Sequence, residues 1–168
     1  MFRRFFLASL LLALSAAPAA AQWTGSVGYS HFTDDFDVGV IVGSFGYEFP
    51  VADGFSLVPE FRAGLGVVDD TVTIAGTRVD FEIENLYGFS NRFQFDFGND
   101  LYAFGVVSHV NYKTKASGGG ISVSDRSWEW GFGGGLGYMF NPNNGLDFSW
   151  ERIDGDVDQF NLGWRFRF

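Results

Sequence analysis

The chain has 168 residues, with 11 basic and 20 acidic side chains, a formal net charge of −9 and no cysteine. The acidic balance argues against a nucleic-acid partner, because binding phosphates requires a basic surface, and the lack of cysteine excludes a disulfide framework. No apolar run reaches the ~18 residues of a transmembrane helix, although phenylalanine (21) and glycine (23) are both abundant. A membrane location would therefore require β-strands.

The first 21 residues have the pattern of a secretory signal peptide. Arg3 and Arg4 form a basic start, an apolar run continues to about Ala17, and an Ala-x-Ala site ends at Ala21. The apolar run is too short to span a bilayer. We therefore predict cleavage after Ala21 and a single mature domain over residues 22–168.

The rest of the chain alternates between apolar and polar residues with a period of two, which is typical of strands with two different faces. Eight such stretches are separated by turn or loop residues, and in the fourth of them nearly every charge falls on one parity. We predict strands near residues 23–32, 38–49, 55–68, 79–97, 101–113, 125–140, 146–153 and 160–168.

The connections between these stretches are of two kinds. Three short turns are flanked by bulky apolar residues, and the other connections are polar. Residues 69–76 are predicted to form a longer loop, and residues 115–120, with three successive glycines, a flexible one. External loops of this length predict only a small surface for adhesion.

The last nine residues carry the clearest alternation, and the chain ends on an aromatic residue. This stretch resembles the closing strand of bacterial outer-membrane β-barrel proteins. The resemblance implies that the outer-membrane barrel assembly machinery recognises its terminal Phe and alternating apolar residues. The predicted assembly signal consists of Phe160, Leu162, Trp164, Phe166 and Phe168.

With its signal peptide, even strand number and terminal Phe168, the chain resembles small outer-membrane β-barrel proteins of the OmpA-transmembrane-domain, OmpW and opacity-protein type, over residues 23–168. The resemblance implies an all-β fold, an eight-stranded antiparallel up-and-down transmembrane β-barrel, preceded by a cleaved signal peptide. It also implies a location in the outer membrane of a Gram-negative bacterium, among outer-membrane lipid and lipopolysaccharide. With an even strand number both termini are periplasmic, and we expect a monomer.

The aromatic face of such a barrel could point to lipid or, as in a soluble lipocalin-like barrel, to the interior. An eight-stranded barrel has an interior that side chains just fill, so we assign the aromatic face to lipid. In the fifth stretch this assigns Tyr102, Phe104 and Tyr112 to lipid. Tyr112 and Trp128 become candidates for the outer aromatic girdle.

The polar face then places charged residues inside the barrel, where they must pair or keep water. We predict salt bridges centred on Arg62, Arg165 and Arg167, because one guanidinium can hold two carboxylates. Asp96, His109 and Asp147 are also assigned to the interior. The predicted network comprises Glu48, Glu60, Arg62, Arg92, Glu129, Glu151, Arg165 and Arg167.

Three classes of function remain open. A structural or surface-interaction barrel with a plugged interior comes first, a narrow porin-like channel for ions or for small or apolar solutes is the alternative, and a lipid-modifying enzyme is third. Ser108 and His109 are the best catalytic candidates, but neighbours on a strand point to opposite faces. We predict no catalytic residue, no cofactor and no metal site, and interpret the acidic stretches 34–37 and 154–158 as solvated loops rather than sites for divalent cations.

Overall fold

The computed structural model describes residues 22–33, 37–74 and 77–168, so the predicted signal peptide lies outside the described residues. Within this part of the chain, no helix is long and apolar enough to cross a membrane. The strands are β1 (Gln22–Thr33), β2 (Asp37–Ala52), β3 (Phe55–Val68), β4 (Asp70–Ile74), β5 (Thr77–Asp96), β6 (Leu101–Gly118), β7 (Ile121–Asn141), β8 (Asn144–Ile153) and β9 (Val157–Arg167).

The strands close into one up-and-down barrel. Neighbouring strands are antiparallel, β1 pairs with β9, and β3 pairs with both β2 and β5. The short β4 follows β3 after Asp69 and pairs with the outer part of β5. The barrel wall therefore has eight positions, and β3 and β4 together occupy the third of them. The predicted eight-stranded antiparallel up-and-down fold is confirmed.

Both loops predicted from composition are wrong. Residues 70–74 form β4, and β6 continues to Gly118 before the chain returns as β7 at Ile121. Gly119 and Gly120 make the turn between them with φ values of +60° and +82°, a conformation that only glycine adopts without strain. The three glycines therefore end a long hairpin instead of forming a flexible loop.

These longer strands project beyond the opposite side of the barrel. β8 ends at Ile153, opposite Gly131 of β7, so the first ten residues of β7 extend past it. We call this projection the outer sheet and define it as residues 70–74, 77–84, 113–118 and 121–129. It gives the chain a larger exposed surface than short loops would.

Most strands place their faces as the alternation predicts. On β9, Leu162 and Trp164 are exposed on the outside, whereas Gly163 and Arg165 are buried inside. Exposed apolar surface of this extent is stable only against lipid. The outward-facing set includes Trp23, Val27, Tyr29, Ile41, Phe45, Phe61, Leu65, Phe89, Phe93, Phe95, Trp130, Phe132, Leu136, Phe148, Trp150, Phe160 and Phe168.

β6 is the exception, because its aromatic face points into the barrel. The predicted lipid contacts of Tyr102, Phe104 and Tyr112 are wrong, since all three side chains are buried in the interior. His109, predicted inside, lies on the outer face and stacks on Trp128 and Trp130, with ring centroids 4.9 and 4.4 Å away. Trp128 keeps its predicted outward position, but Tyr112 does not belong to the girdle.

The neighbouring strand β7 explains this reversal. Its inward positions beside β6 are glycines, and a Cβ added to Gly137 would collide with the ring of Tyr102. A Cβ on Gly135 would come within 2.5 Å of the Phe104 ring and even closer to the backbone of Phe148. The missing side chains of β7 therefore provide the space that the rings of β6 fill.

A bulge in β5 reverses the predicted alternation in the outer part of the strand. The pairing with β6 shifts register between Ile83 and Asn85, which leaves Glu84 as the extra residue. Ile83 and Leu86 are both buried inside although their numbers differ in parity. From the bulge outward, Glu82 and Glu84 face the outer surface. The prediction that all the charged residues of this strand share one inward face is therefore wrong.

Candidate functional site: an ion-pair layer across the barrel lumen

Arg165 is the centre of a charged layer inside the barrel. It lies on β9 between the outward-facing Trp164 and Phe166, and it is only 2% exposed. Its guanidinium donates from Nε to Asp147 Oδ2 at 2.7 Å and from Nη2 to Glu60 Oε1 at 2.9 Å. Nη1 donates to the Thr24 hydroxyl at 2.8 Å. One side chain thus joins β9 to β8, β3 and β1.

Asp147 is shared by a second arginine. Arg92 on β5 donates from Nη1 to Asp147 Oδ2 at 2.6 Å, and the Tyr102 hydroxyl donates to the other carboxylate oxygen. Arg92 also lies over the Phe104 ring, with its guanidinium carbon 3.6 Å from the ring centroid. The inward rings of β6 therefore hold part of this layer through a hydrogen bond and a cation–π contact.

Further from the strand ends that carry the termini, a second pair spans the lumen. Arg62 on β3 donates from Nη1 to Glu151 Oε1 at 2.7 Å, and the Ser108 hydroxyl donates to Glu151 Oε2 at 3.0 Å. Ser108 therefore points inward and is engaged with a carboxylate, whereas His109 lies on the outer face. The two candidate catalytic residues are not brought together.

The predicted pair at the terminal end of the barrel is looser. Arg167 Nε lies 3.2 Å from Glu48 Oε2, but without the geometry of a hydrogen bond, so the contact is ionic only. Gln94 donates to the other oxygen of Glu48 at 3.4 Å. The layer is thus most tightly connected around Arg165 and most weakly connected at Arg167, the last residue of β9.

Seven of the eight predicted network residues lie in this layer, and Glu129 does not. Glu129 borders a cavity toward the outer sheet, and within the described ranges no hydrogen bond or ion pair reaches it. Asp96, also predicted inside, is exposed and accepts a hydrogen bond from the Gly98 backbone. The uncharged members that sequence reasoning missed include Thr24, Gln94, Tyr102 and Ser108.

Little free space remains between these side chains. A cavity of about 30 Å³ lies between Glu60, Arg62, Arg92 and Asp147. A cavity volume of about 10–15 Å³ is enough to hold one water molecule. The layer therefore leaves room for isolated water molecules, and the charged groups fill most of the lumen at this height.

The outer sheet carries ion pairs of a different kind, on its outer surface. Lys115 lies 2.5 Å from Glu82, and Lys113 pairs with Glu84 one step closer to the barrel. The close ion pair with Lys113 lowers the pKa of Glu84, and the hydrogen bond to Glu82 raises the pKa of Lys115. These pairs join β5 to β6 beyond the bulge, where solvent weakens each of them.

No group of three or more His, Asp or Glu residues that could hold a metal ion occurs in the described part of the chain. Asp158, from one of the two acidic stretches, instead accepts hydrogen bonds from Arg152 and from the Trp150 indole. In the other stretch, residues 34–36 lie outside the described ranges.

Comparison with known proteins gives the chain a family. The family model described as outer membrane protein beta-barrel domain matches residues 6–168. The chain belongs to this family. As an outer-membrane β-barrel protein, it is located in the outer membrane of a Gram-negative bacterium, where lipid covers its apolar outer face. No curated protein matches the chain.

Solved structures of other outer-membrane β-barrel proteins share the fold. Ail of Yersinia pestis is 20% identical with a TM-score of 0.60, over 88% of this chain and 99% of that one. Neisserial surface protein A is 13% identical with a TM-score of 0.58, over 88% and 97%. The N-terminal barrel of Pseudomonas aeruginosa OprF is 16% identical with a TM-score of 0.55, over 85% and 97%. At these identities the likeness concerns the fold alone.

Proposed function

We propose that this outer-membrane barrel is a structural and surface-interaction protein whose interior is closed to solutes. The observation that carries the proposal is the layer around Arg165, which ties four strands together and leaves a cavity of about 30 Å³. Passage of an ion would require these pairs to separate, and charges separated in a lipid-enclosed interior lose their compensation. The alternative, a narrow porin-like channel, is therefore disfavoured.

The test is conductance of the purified protein in a planar lipid bilayer. We expect the wild type to show no steady current, because the ion pairs stay formed and block the lumen. Arg62→Ala removes the partner of Glu151 and widens the lumen at one level, so brief openings are the expected change. Arg152→Ala is the matched control, because it breaks an exposed pair with Asp158 outside the lumen. Steady current through the wild type that Arg62→Ala alters would refute the plug.

The surface role is assigned to the outer sheet and the neighbouring turns. Over residues 37, 69–74, 77–84, 113–118, 121–129 and 152–158, eleven acidic residues outnumber five basic ones. Ail has been solved in complex with the heparin analogue sucrose octasulfate. A polyanion of that kind would be repelled here, so a partner with a basic surface fits this end of the barrel better.

A lipid-modifying enzyme is not supported by the geometry. Ser108 donates to Glu151 inside the barrel, and His109 stacks on two tryptophans outside it. A nucleophile and its base must lie within hydrogen-bond reach. We expect the purified protein to release no fatty acid or headgroup from outer-membrane lipid, and release that Ser108→Ala abolishes would contradict this.

We also infer that the outward face of β9 is the signal read by the barrel assembly machinery. Phe160, Leu162, Trp164 and Phe168 are exposed on one face. Phe168→Ala should lower the amount of protein in the outer membrane, whereas Phe148→Ala on β8 removes another exposed, outward-facing aromatic without touching the terminus. The readout is outer-membrane protein whose gel mobility shifts on heating, and equal loss in both variants would contradict the signal.

A further inference from the structure

A second cavity, of about 180 Å³, lies in the outer half of the barrel where the lumen meets the outer sheet. Its walls are mostly apolar and come from one buried cluster. An engineered protein cavity of about 150 Å³ with an apolar lining binds benzene, so the space here suits one ring or a short alkyl chain. The apolar lining consists of Phe32, Ile83, Tyr112, Ile153 and Val157.

The cavity is closed on the side of the membrane interior. Ile153 is two residues from Glu151 on the inner face of β8, and Glu151 is held there by Arg62 and Ser108. The ion-pair layer thus forms the floor below the apolar walls. A molecule in this cavity would enter and leave at the outer end only.

Two carboxylates border the apolar space, and neither has a positive partner among the described residues. Glu129 is half-buried on the inner face of β7, beside Tyr112. Asp154 lies in the turn after β8, where its backbone N–H donates to the Trp130 carbonyl at 3.0 Å. The lysines and arginines of the outer sheet are on its opposite surface, as Lys115 paired with Glu82 illustrates. The negative charge at this cavity is therefore uncompensated.

The aromatic wall of the cavity, like its negative charge, favours a cation. The rings of Phe32 and Tyr112 meet edge to face, with centroids 5.8 Å apart, and both line the cavity. Aromatic ring faces attract ammonium groups, most strongly where water is excluded. Apolar walls, aromatic rings and unpaired carboxylates are together complementary to an organic cation and unfavourable for an anion.

We propose that this cavity binds a small organic ammonium compound. Its ring or short alkyl body lies between Phe32, Ile83 and Ile153, and its ammonium group lies at Glu129, with Asp154 as a second carboxylate. A neutral apolar molecule would use the walls but not the carboxylates. The proposal does not depend on whether the barrel has a structural role, because the floor and walls are present in either case.

The first experiment measures binding of 2-phenylethylammonium by titration calorimetry to the full barrel in phosphatidylcholine nanodiscs, with empty nanodiscs as the blank. Saturable binding with one site per chain is expected. 2-Phenylethanol has the same body without the charge and should bind about tenfold more weakly, because one charge-assisted hydrogen bond is lost. 3-Phenylpropionate should not bind. Absence of saturable ammonium binding would overturn the proposal.

Three variants locate the site. Glu129→Gln should weaken ammonium binding about tenfold and leave phenylethanol binding unchanged. Val157→Phe places a ring in part of the cavity and should weaken binding of both. Asp156→Asn is the matched control, because it removes an exposed carboxylate from the same turn that does not line the cavity, and it should bind like the wild type.

The heat-dependent gel shift shows for each variant that the barrel has closed, so a lost signal can be assigned to the site. Equal affinity for ammonium and alcohol, together with no effect of Glu129→Gln, would mean a neutral apolar site and would overturn the cation assignment. Undiminished binding to Val157→Phe would place the ligand elsewhere and would overturn the site.

Discussion

The two halves of the barrel interior are filled with opposite chemistry. The half next to the termini holds arginines and carboxylates around Arg165, whereas the outer half holds a buried apolar cluster that includes Val40, Leu86 and Val110. The same strands supply both, since β1 contributes Thr24 to one and Phe32 to the other. Inward position therefore does not imply polarity in this barrel, and each half should respond differently to substitution.

The largest effect is expected in the charged half. Arg165→Met keeps the length of the side chain but leaves Glu60 without its ion-pair partner and Asp147 with Arg92 alone. Removing one partner of a buried pair costs about 3–5 kcal/mol. Urea unfolding of the protein in lipid vesicles, followed by tryptophan fluorescence, measures the loss.

A double variant sharpens this prediction. Adding Glu60→Gln to Arg165→Met removes the carboxylate that has lost its cation, while Asp147 stays paired with Arg92, so much of the lost free energy of unfolding should return. If the double variant is less stable than Arg165→Met alone, Glu60 is not destabilised by the missing arginine and the pairing described here is not what stabilises the layer.

In the apolar half, the expected effect comes from lost packing. Leu86→Ala deletes buried methyl groups from the cluster and should cost about 2–5 kcal/mol. Leu65→Ala, on the lipid-facing side of β3, is the control, because lipid can fill the space that it leaves. Equal losses of unfolding free energy for the two variants would argue that the inner cluster is not tightly packed.

A smaller effect is expected at the contact between β6 and β7. Gly137→Ala places a Cβ against the Tyr102 ring and should cost about 1–3 kcal/mol through overpacking. Gly105→Ala is the control, because its nearest neighbour would be the Gly133 carbonyl oxygen at 3.9 Å. Replacing Tyr102 by leucine should relieve the first variant, and no relief would mean that the ring is not the obstacle.

The smallest effect belongs to the outer sheet and should depend on pH. The pKa of Glu84 is lowered in the folded protein, so its ion pair with Lys113 contributes fully above the ordinary value of 4.5 and is lost as the pH falls through the lowered value. After correction for the intrinsic rate of hydrogen exchange, which itself falls with pH, the outer amides of β5 and β6 should lose protection at low pH in the wild type. Glu84→Gln should reduce this pH dependence, with the Glu82–Lys115 pair supplying the remainder, while the barrel amides stay protected.

The sequence reveals the faces of β7, β8 and β9 because most of their inward residues are glycines or polar, apart from residues such as Met139 and Ile153, and most of their outward residues are large and apolar. β6 defeats the same rule, since Tyr102, Phe104 and Val110 face inward and look like lipid contacts. The glycine row of β7 was a usable signal, because a row without side chains makes room for large neighbours. Alternation within a single strand does not show that the glycines of β7 lie beside the rings of β6.

The members of the charged layer were predictable, but their partners were not. Arg165 meets Glu60 across 105 positions of sequence, and the register of several strand pairs must be known before such a contact can be assigned. The bulge at Glu84 adds one residue without any change in composition. Alternation counts residues along a strand, so it cannot show where that count shifts by one.

The outer sheet makes the mouth of this barrel lopsided. β6 and β7 continue for many residues past the level at which β8 ends, at Ile153, and β9 begins, at Val157. The outer sheet screens the mouth on one side, and among the described residues the low rim at β8 and β9 lies on the other. Entry to the mouth is therefore directional. Sugars and lipid headgroups that crowd the membrane surface would obstruct entry on the side of the low rim alone.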